Sequence, residues 1–320
     1  MPPAESPGPV IVTTGLSRSF GEVHAVDGVD LDVRSGEMFG LVGPDGAGKS
    51  TIIRMLCGIL TPGSGTGTIL GKNIVRQRDA LKTDIGYLSQ KFSLYGDLSV
   101  DENIEFFAEL HRVPDYHDLR ERLLEFTQLG PFRDRLAEKL SGGMKQKLAL
   151  ICTLIHHPRI IFLDEPTTGV DPVSRRELWG LLQKLNADGM TVILCTPYLD
   201  EAERCERVAF IHDGRLMQVD TPQNLKKLIP GLVVEIVCDD PRGALDVLRA
   251  QGSSSQAQVF GDRVKVIVDS EEGAGDIVGV LKGASIGITS RRFVRPSLED
   301  VFIYLMRGLP KGAVAPPVRP

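Results

Sequence analysis

Two stretches of this chain have residue types and spacing suited to holding phosphate. The first is Gly43, Pro44, Asp45, Gly46, Ala47, Gly48, Lys49, Ser50 and Thr51. Between a strand and a helix, Gly-x4-Gly-Lys-Ser lets backbone N–H groups curl around phosphate oxygens at a helix N-terminus. Lys49 brings a positive charge to the β- and γ-phosphates. The Ser50 hydroxyl is suited to Mg2+, and Thr51 to one more phosphate contact. Outside that setting the run would be an ordinary Gly-rich turn. The second stretch is Ser141, Gly142, Gly143, Met144, Lys145 and Gln146, at the start of a helix. It leaves N–H groups and a hydroxyl at the positive end of that helix, a second anion site. Taken alone it is a serine N-cap.

A third element follows. The apolar run from Ile160 ends in Asp164 and Glu165. At the carboxyl edge of a parallel sheet, acids face the ligand crevice. There Asp164 can hold Mg2+ through water and Glu165 can polarise an attacking water as general base. Without the phosphate loop upstream, two acids after a strand would be a helix cap or a solvated turn. One chain cannot easily bring both anion sites to one γ-phosphate. Two chains arranged head to tail can, with two nucleotides sandwiched between them.

The elements that must position these groups can be read coarsely. Residues 37–42 form a short apolar strand running into the loop, and 50–59 a helix. Strands follow at 84–89, 159–163 and 191–195, with helices at 143–156 and 175–186. The stretches 10–13 and 28–33 are β-like, and residues 208–219 form a hairpin about Asp213-Gly214. Strands alternating with helices imply a mostly parallel sheet covered on both faces. The helix-rich stretch at about 91–140 is an inserted subdomain. After residue 228 the pattern becomes βαββαβ, that of a small ferredoxin-like α+β unit. Domain expectations are therefore a tail at 1–9, a nucleotide domain at 10–228, an accessory domain at 229–308 and a tail at 309–320.

Composition bounds the partners. Of 320 residues, 42% are hydrophobic and 25% charged, and the net charge of −5 gives no reason to expect nucleic acid. No apolar run approaches the roughly 18–20 residues that span a bilayer. The start, rich in Pro, lacks the basic and apolar regions of a signal peptide. Cys57, Cys152, Cys195, Cys205 and Cys238 are irregularly spaced. They are expected to be buried small hydrophobes in a reducing cytosol, with neither a disulfide framework nor a zinc site.

The order phosphate loop, Ser-Gly-Gly-x-x-Gln, hydrophobic-Asp-Glu resembles the ATP-binding cassette (ABC) family over residues 10–223. The resemblance implies an α/β P-loop NTPase fold, with a parallel sheet, an antiparallel β subdomain and a helical subdomain. It implies ATP and Mg2+ as ligands and a dimer of cassettes, with itself or with a second kind. It also assigns Phe20 to stacking on adenine, where a core phenylalanine is the alternative. Gln90 would reach Mg2+ and link to a membrane partner, and Asp171 would lie in the loop that touches the other subunit. The segments 94–103 and 295–302 resemble ATPases that serve ABC-2-type exporters, including the daunorubicin-resistance group. That implies a separate membrane permease, a location on the cytosolic face of the membrane, and a drug or other hydrophobic compound as cargo. Nucleotide binding would close the dimer and hydrolysis reopen it. The alternatives are a degenerate, weakly hydrolysing regulatory cassette and a soluble ABC ATPase outside transport; one cassette and no sustained heptads count against the second.

Three positions depart from the family pattern. Pro197 stands where the family has a histidine that contacts the γ-phosphate, and proline has neither a side-chain donor nor an N–H. Either hydrolysis is slow, or Tyr198 or water substitutes for the histidine, or catalysis relies on Glu165; slow but real turnover is the expectation. Asp45 replaces a commoner Asn and is expected to face solvent or a nearby N–H. Lys147 replaces a frequent Arg, which reads as a modest surface change.

Overall fold

The computed structural model describes residues 8–90, 94–250 and 257–308. The expected tails at 1–9 and 309–320 lie outside these residues, except for Gly8 and Pro9. The chain divides into two compact units between Val219 and Asp220. From sequence the boundary falls at 228 instead. Helix Pro222–Lys226 packs with helix Leu298–Gly308 and so goes with the second unit.

The first unit is built on a six-stranded sheet. Its order is Ile85–Leu88, Ile160–Asp164, Thr191–Thr196, Met38–Val42, Arg207–His212 and Arg215–Asp220. The first five are parallel. Met38–Val42, Ile160–Asp164 and Thr191–Thr196 are buried at every position. That is why they read as unbroken apolar runs without alternation. Phe39, Phe162 and Ile193 pack with Ile52 and Ile53 of helix Lys49–Leu56 in one core. Because the strands are parallel, the segments following Val42, Leu88, Asp164 and Thr196 emerge at the same edge.

A second, antiparallel sheet has the order Val23–Arg34, Pro9–Phe20, Ser64–Ile69 and Lys72–Asn73. Only fragments of its first two strands are legible as β in the sequence. Bulges in Pro9–Phe20 break the alternation there. The strand Ser64–Ile69 is not legible at all, because Gly65 and Gly67 are residues that strands disfavour. Gly65 is required nonetheless. Its φ is +79°, and a Cβ there would stand 2.2 Å from the Gly15 carbonyl oxygen.

Helices Val100–Leu110 and His117–Thr127 pack against helix Gly142–Leu154. The first opens with a reciprocal capping box between Ser99 and Glu102, an arrangement that stabilises a helix start by about 1 kcal/mol.

After helix Pro222–Lys226 the second unit has the order strand, helix, strand, strand, helix, strand, followed by the last helix. Its antiparallel sheet runs Ala257–Phe260, Arg263–Val268, Leu232–Cys238, Ile288–Val294. Helices Pro241–Ala250 and Glu271–Gly283 bury Ala244, Leu248, Ala274, Ile277 and Leu281 in its core. Glu235, buried on the sheet, is held by Arg263 at 2.9 Å and by Arg292 Nε at 2.7 Å.

Candidate functional site

The loop between Val42 and Lys49 is shaped by what lies behind it. A Cβ on Gly43 would stand 2.2 Å from the Ile211 carbonyl oxygen. One on Gly48, whose φ is +104°, would stand 2.3 Å from that of Ala25. Glycine is thus needed at both ends so that the chain can turn against its own sheets. The Gly214 N–H donates to the Ala47 carbonyl at 3.0 Å and fixes the middle of the loop.

Lys49 is almost wholly buried, and its ammonium donates to the carbonyls of Gly43 at 2.9 Å and Pro44 at 3.0 Å. It lies 3.7 Å from Glu165 Oε1 and 4.0 Å from Asp45 Oδ1. The Asp45 side chain is otherwise exposed to solvent. Ser50 Oγ donates to Asp164 Oδ1 at 2.8 Å. The second oxygen of this fully buried carboxylate accepts from the Tyr87 hydroxyl at 3.4 Å. Burial, outweighing an opposing bond with Arg54, pushes the Tyr87 phenol up to about 12 and keeps it a donor. Glu165 accepts from Gln90 Nε2 at 2.9 Å and from Thr168 Oγ1 at 3.3 Å. Its backbone is left-handed, with φ 53°, and its N–H donates to the Cys195 carbonyl at 2.9 Å. A non-glycine residue there is strained and persists only where its surroundings hold it.

Lys49, Ser50, Gln90, Asp164 and Glu165 therefore form two sets of contacts: Ser50 with Asp164, and Lys49 and Gln90 with Glu165. The sets lie side by side because Lys49 adjoins Ser50 and Asp164 adjoins Glu165 in the chain. Their donors toward a cation are all oxygens: a hydroxyl, a carboxylate and an amide carbonyl. Mg2+ is usually held by one or two such protein oxygens with water and substrate phosphates. The residues fit that ion.

Ser141 caps helix Gly142–Leu154, its Oγ accepting from the Met144 N–H at 3.3 Å. A Cβ on Gly143 would stand 2.1 Å from Ser174 Oγ, so this glycine lets helix Pro172–Ala187 approach. Asp171 caps that second helix through the N–H groups of Val173 and Ser174, both at 3.0 Å. Bonds from Ser174 hold the Asp171 carboxyl below the usual carboxylate range. Among the described residues, no hydrogen bond or ion pair joins Ser141, Gly142, Gly143 or Gln146 to the phosphate loop. Gln146 and Gln90 share a cleft of about 470 Å³ with Leu94, Glu138, Lys145 and Thr168.

Phe20 is 49% exposed, which excludes the core reading, and the Arg18 guanidinium lies 5.2 Å from its ring centre. Lys147 corrects an expectation. Its side chain is only 11% exposed and pairs with Glu177 at 2.7 Å, so it ties two helices and is not a surface residue. All five cysteines are buried. Burial, and secondarily the Asp164 charge, pushes the thiols of Cys57 and Cys195 up.

Sequence reasoning does not single out Tyr87, Thr168 or Glu201. Tyr87 lies on the expected strand 84–89, three residues before Gln90, and that spacing is its only signal. Thr168 follows Glu165 by three. Glu201 sits in Asp200-Glu201, where nothing in the residue types tells the buried acid from the exposed one.

A phosphate loop on a parallel sheet, with paired acids at the end of a neighbouring strand, defines a P-loop nucleotide-binding domain. The ABC transporter family model matches residues 26–168. The probable multidrug ABC transporter ATP-binding protein YbhF of Escherichia coli (strain K12) is 41% identical over 93% of this chain. The chain spans about half, 52%, of that relative's length. A daunorubicin resistance ATP-binding protein of Streptomyces coeruleorubidus is 35% identical over 93% of this chain and 95% of its own length. Among solved structures, the ATP-binding subunit of an ABC transporter matches with TM-score 0.63 and 26% identity, over 68% of this chain and 92% of that one. A dimeric cassette in a post-hydrolysis state, bound to ADP and Pi, matches with TM-score 0.60 and 28% identity, over 66% and 98%. The chain belongs to the ATP-binding proteins of ABC transporters. Among the described residues no helix is long and apolar enough to cross a membrane.

Proposed function

We propose that this chain binds and hydrolyses ATP as the energising subunit of an export complex. The observation that carries the reading is the contact set at the sheet edge, where Ser50 meets Asp164 and Gln90 meets Glu165 beside Lys49. Residues 43–51 cradle the triphosphate with backbone N–H groups, and Lys49 turns from the loop carbonyls to the β- and γ-phosphates. Ser50, Gln90 and Asp164 hold Mg2+, which when bound supplies charge neutralisation for phosphoryl transfer. Glu165 orients water and accepts its proton. Phe20 stacks on adenine.

Ser141, Gly142, Gly143 and Gln146 serve the ATP held by a second cassette, with Asp171 at the same junction. The dimer is of two copies of this chain or of this chain with a second cassette. Relatives named for multidrug transport, daunorubicin resistance and Nod factor export support an exporter with a separate membrane permease. The permease seats on the cleft beside Leu94 and on exposed Tyr95, which packs against Phe106. The chain then works on the cytosolic face of the membrane. Closure on ATP and opening after hydrolysis shift the permease between two states.

Pro197 favours a slow variant of this reading over a fast one. Steady-state hydrolysis of the purified chain tests the proposal. Glu165→Gln should lower kcat by at least about 100-fold while ATP still binds. Hydrolysis that survives this substitution would overturn the assignment of Glu165.

A further inference from the structure

Glu201, on the short helix Leu199–Ala202, is 1% exposed and accepts four hydrogen bonds. Thr167 Oγ1 donates to it at 2.6 Å, Arg175 Nε at 2.7 Å, Trp179 Nε1 at 3.3 Å and Thr196 Oγ1 at 2.7 Å. The donors come from three segments. Thr167 lies two residues after Glu165. Arg175 and Trp179 lie on the helix that Asp171 caps. Thr196 ends the strand before Pro197 and follows Cys195, whose carbonyl takes the Glu165 N–H.

Both backbone supports of Glu165 are thus tied to one carboxylate: its own loop through Thr167, and its acceptor strand through Thr196. The turn at Pro197 is closed by the same group. Thr196 Oγ1 also accepts the Tyr198 N–H at 3.0 Å, and the Tyr198 ring lies 4.8 Å from the Arg175 guanidinium. Pro197 itself offers no donor, and this network fixes the position of the turn and of Tyr198.

We propose that Glu201 is a positioning residue that clamps Glu165 in its left-handed backbone and locks the Asp171 helix to the Pro197 turn. This rests on the reading of Glu165 as the group that handles water. Three of the donors meet Oε1 and only Thr196 Oγ1 meets Oε2. An amide would therefore keep its oxygen on the first three but lose the charge facing Arg175 and force the Thr196 hydroxyl to turn from donor to acceptor. The chain still folds around the phosphate loop, which Glu201 does not touch. ATP binding should therefore persist while the placement of Glu165 loosens.

The test compares the full chain with Glu201→Gln, Glu201→Asp, Thr167→Val and the double variant Glu201→Gln/Thr167→Val. Glu201→Gln should lower kcat by about tenfold or more with KM for ATP changed less than about twofold. Glu201→Asp should recover part of that loss. The double variant should be no slower than Glu201→Gln alone, because both substitutions break one clamp. Equal falls in kcat and in ATP affinity would overturn the proposal, as would additive losses. Amide exchange in the nucleotide-free chain separates the clamp from the hydrolysis reading. Glu201→Gln should speed exchange at the Glu165 amide by about tenfold, whereas Glu165→Gln should leave the Thr196 and Thr167 contacts intact. Unchanged exchange in Glu201→Gln would overturn the clamp even if the chain hydrolyses ATP.

Discussion

The two phosphate-binding stretches of the first unit are finished to different degrees. Around the phosphate loop three functional side chains have partners from another segment: Ser50 with Asp164, Gln90 with Glu165 and Lys49 with Glu165. Around Ser141 there is little beyond a helix cap. A Cβ on Gly142 would meet nothing closer than the Gly169 carbonyl oxygen at 3.8 Å, so the surface there is open. A preorganised electrostatic site bears its ordering cost during folding, ahead of ligand binding. The phosphate-loop side has done so. The Ser141 side offers only backbone N–H groups and a hydroxyl at a helix start, which gain a role when an anion is brought from outside. On the proposed reading, that anion sits on another chain.

The largest effect that would break this contrast comes from mixing. Lys49→Ala and Ser141→Arg should each lower hydrolysis by at least about 100-fold when pure. Mixed in equal amounts, the two variants form hybrid dimers with one site carrying both defects and one carrying neither. Activity should return to at most about a quarter of the unmodified level if the two sites act independently. A mixture as inactive as its parents at all ratios would mean that both stretches serve one nucleotide within one chain.

A smaller effect sharpens the contrast within the phosphate-loop side itself. In the segment after Thr196, Pro197 has no side-chain donor at the position where the family pattern has a histidine. If a donor is what it lacks, Pro197→His should raise kcat by about tenfold or more, with ATP affinity little changed. The initial rate at saturating ATP and Mg2+ checks this. A variant no faster than the parent would mean that Glu201-held geometry suffices.

The same contrast explains what could be read from sequence. The phosphate loop, the strand ending in Asp164 and Glu165, and the Ser141 stretch are contiguous motifs whose chemistry is local. They needed only the elements on either side to be placed. Tyr87 and Glu201 were not legible because their roles are made by tertiary contact. Tyr87 meets Asp164 across two neighbouring strands, and Glu201 gathers donors from residues 5 to 34 positions away. Lys147 was misread for the same reason: its partner Glu177 lies on a helix that only packing brings near. The strand Ser64–Ile69 was hidden by glycines whose purpose, close approach to Gly15, is visible only in three dimensions. The parallel sheet was legible because burial on both faces leaves nothing but apolar residues to read.

The smallest expected effect concerns how the Ser141 helix is anchored. Two residues past its end, His156 donates from Nε2 to the Ile85 carbonyl at 3.0 Å, on the strand that leads to Gln90. The His111 ring stacks on His156 with centroids 4.0 Å apart and planes within 5°. Burial, then the neighbouring His156, lowers His111 from its ordinary 6.5 to about 4. The unfolded chain therefore takes up a proton on acidification before the folded one does. Stability is unaffected above about pH 6.5 and is lost progressively as pH falls from there toward 4. Over that window the melting temperature of the unmodified chain should fall faster than that of His111→Gln, by about 2–4 °C in total. Exposure of part of the His111 side chain keeps the difference modest. Parallel melting curves at pH 7.5, 6 and 5 would be inconsistent with a neutral stacked pair. They would imply that the His111–His156 stack adds nothing to the anchoring of the Ser141 helix.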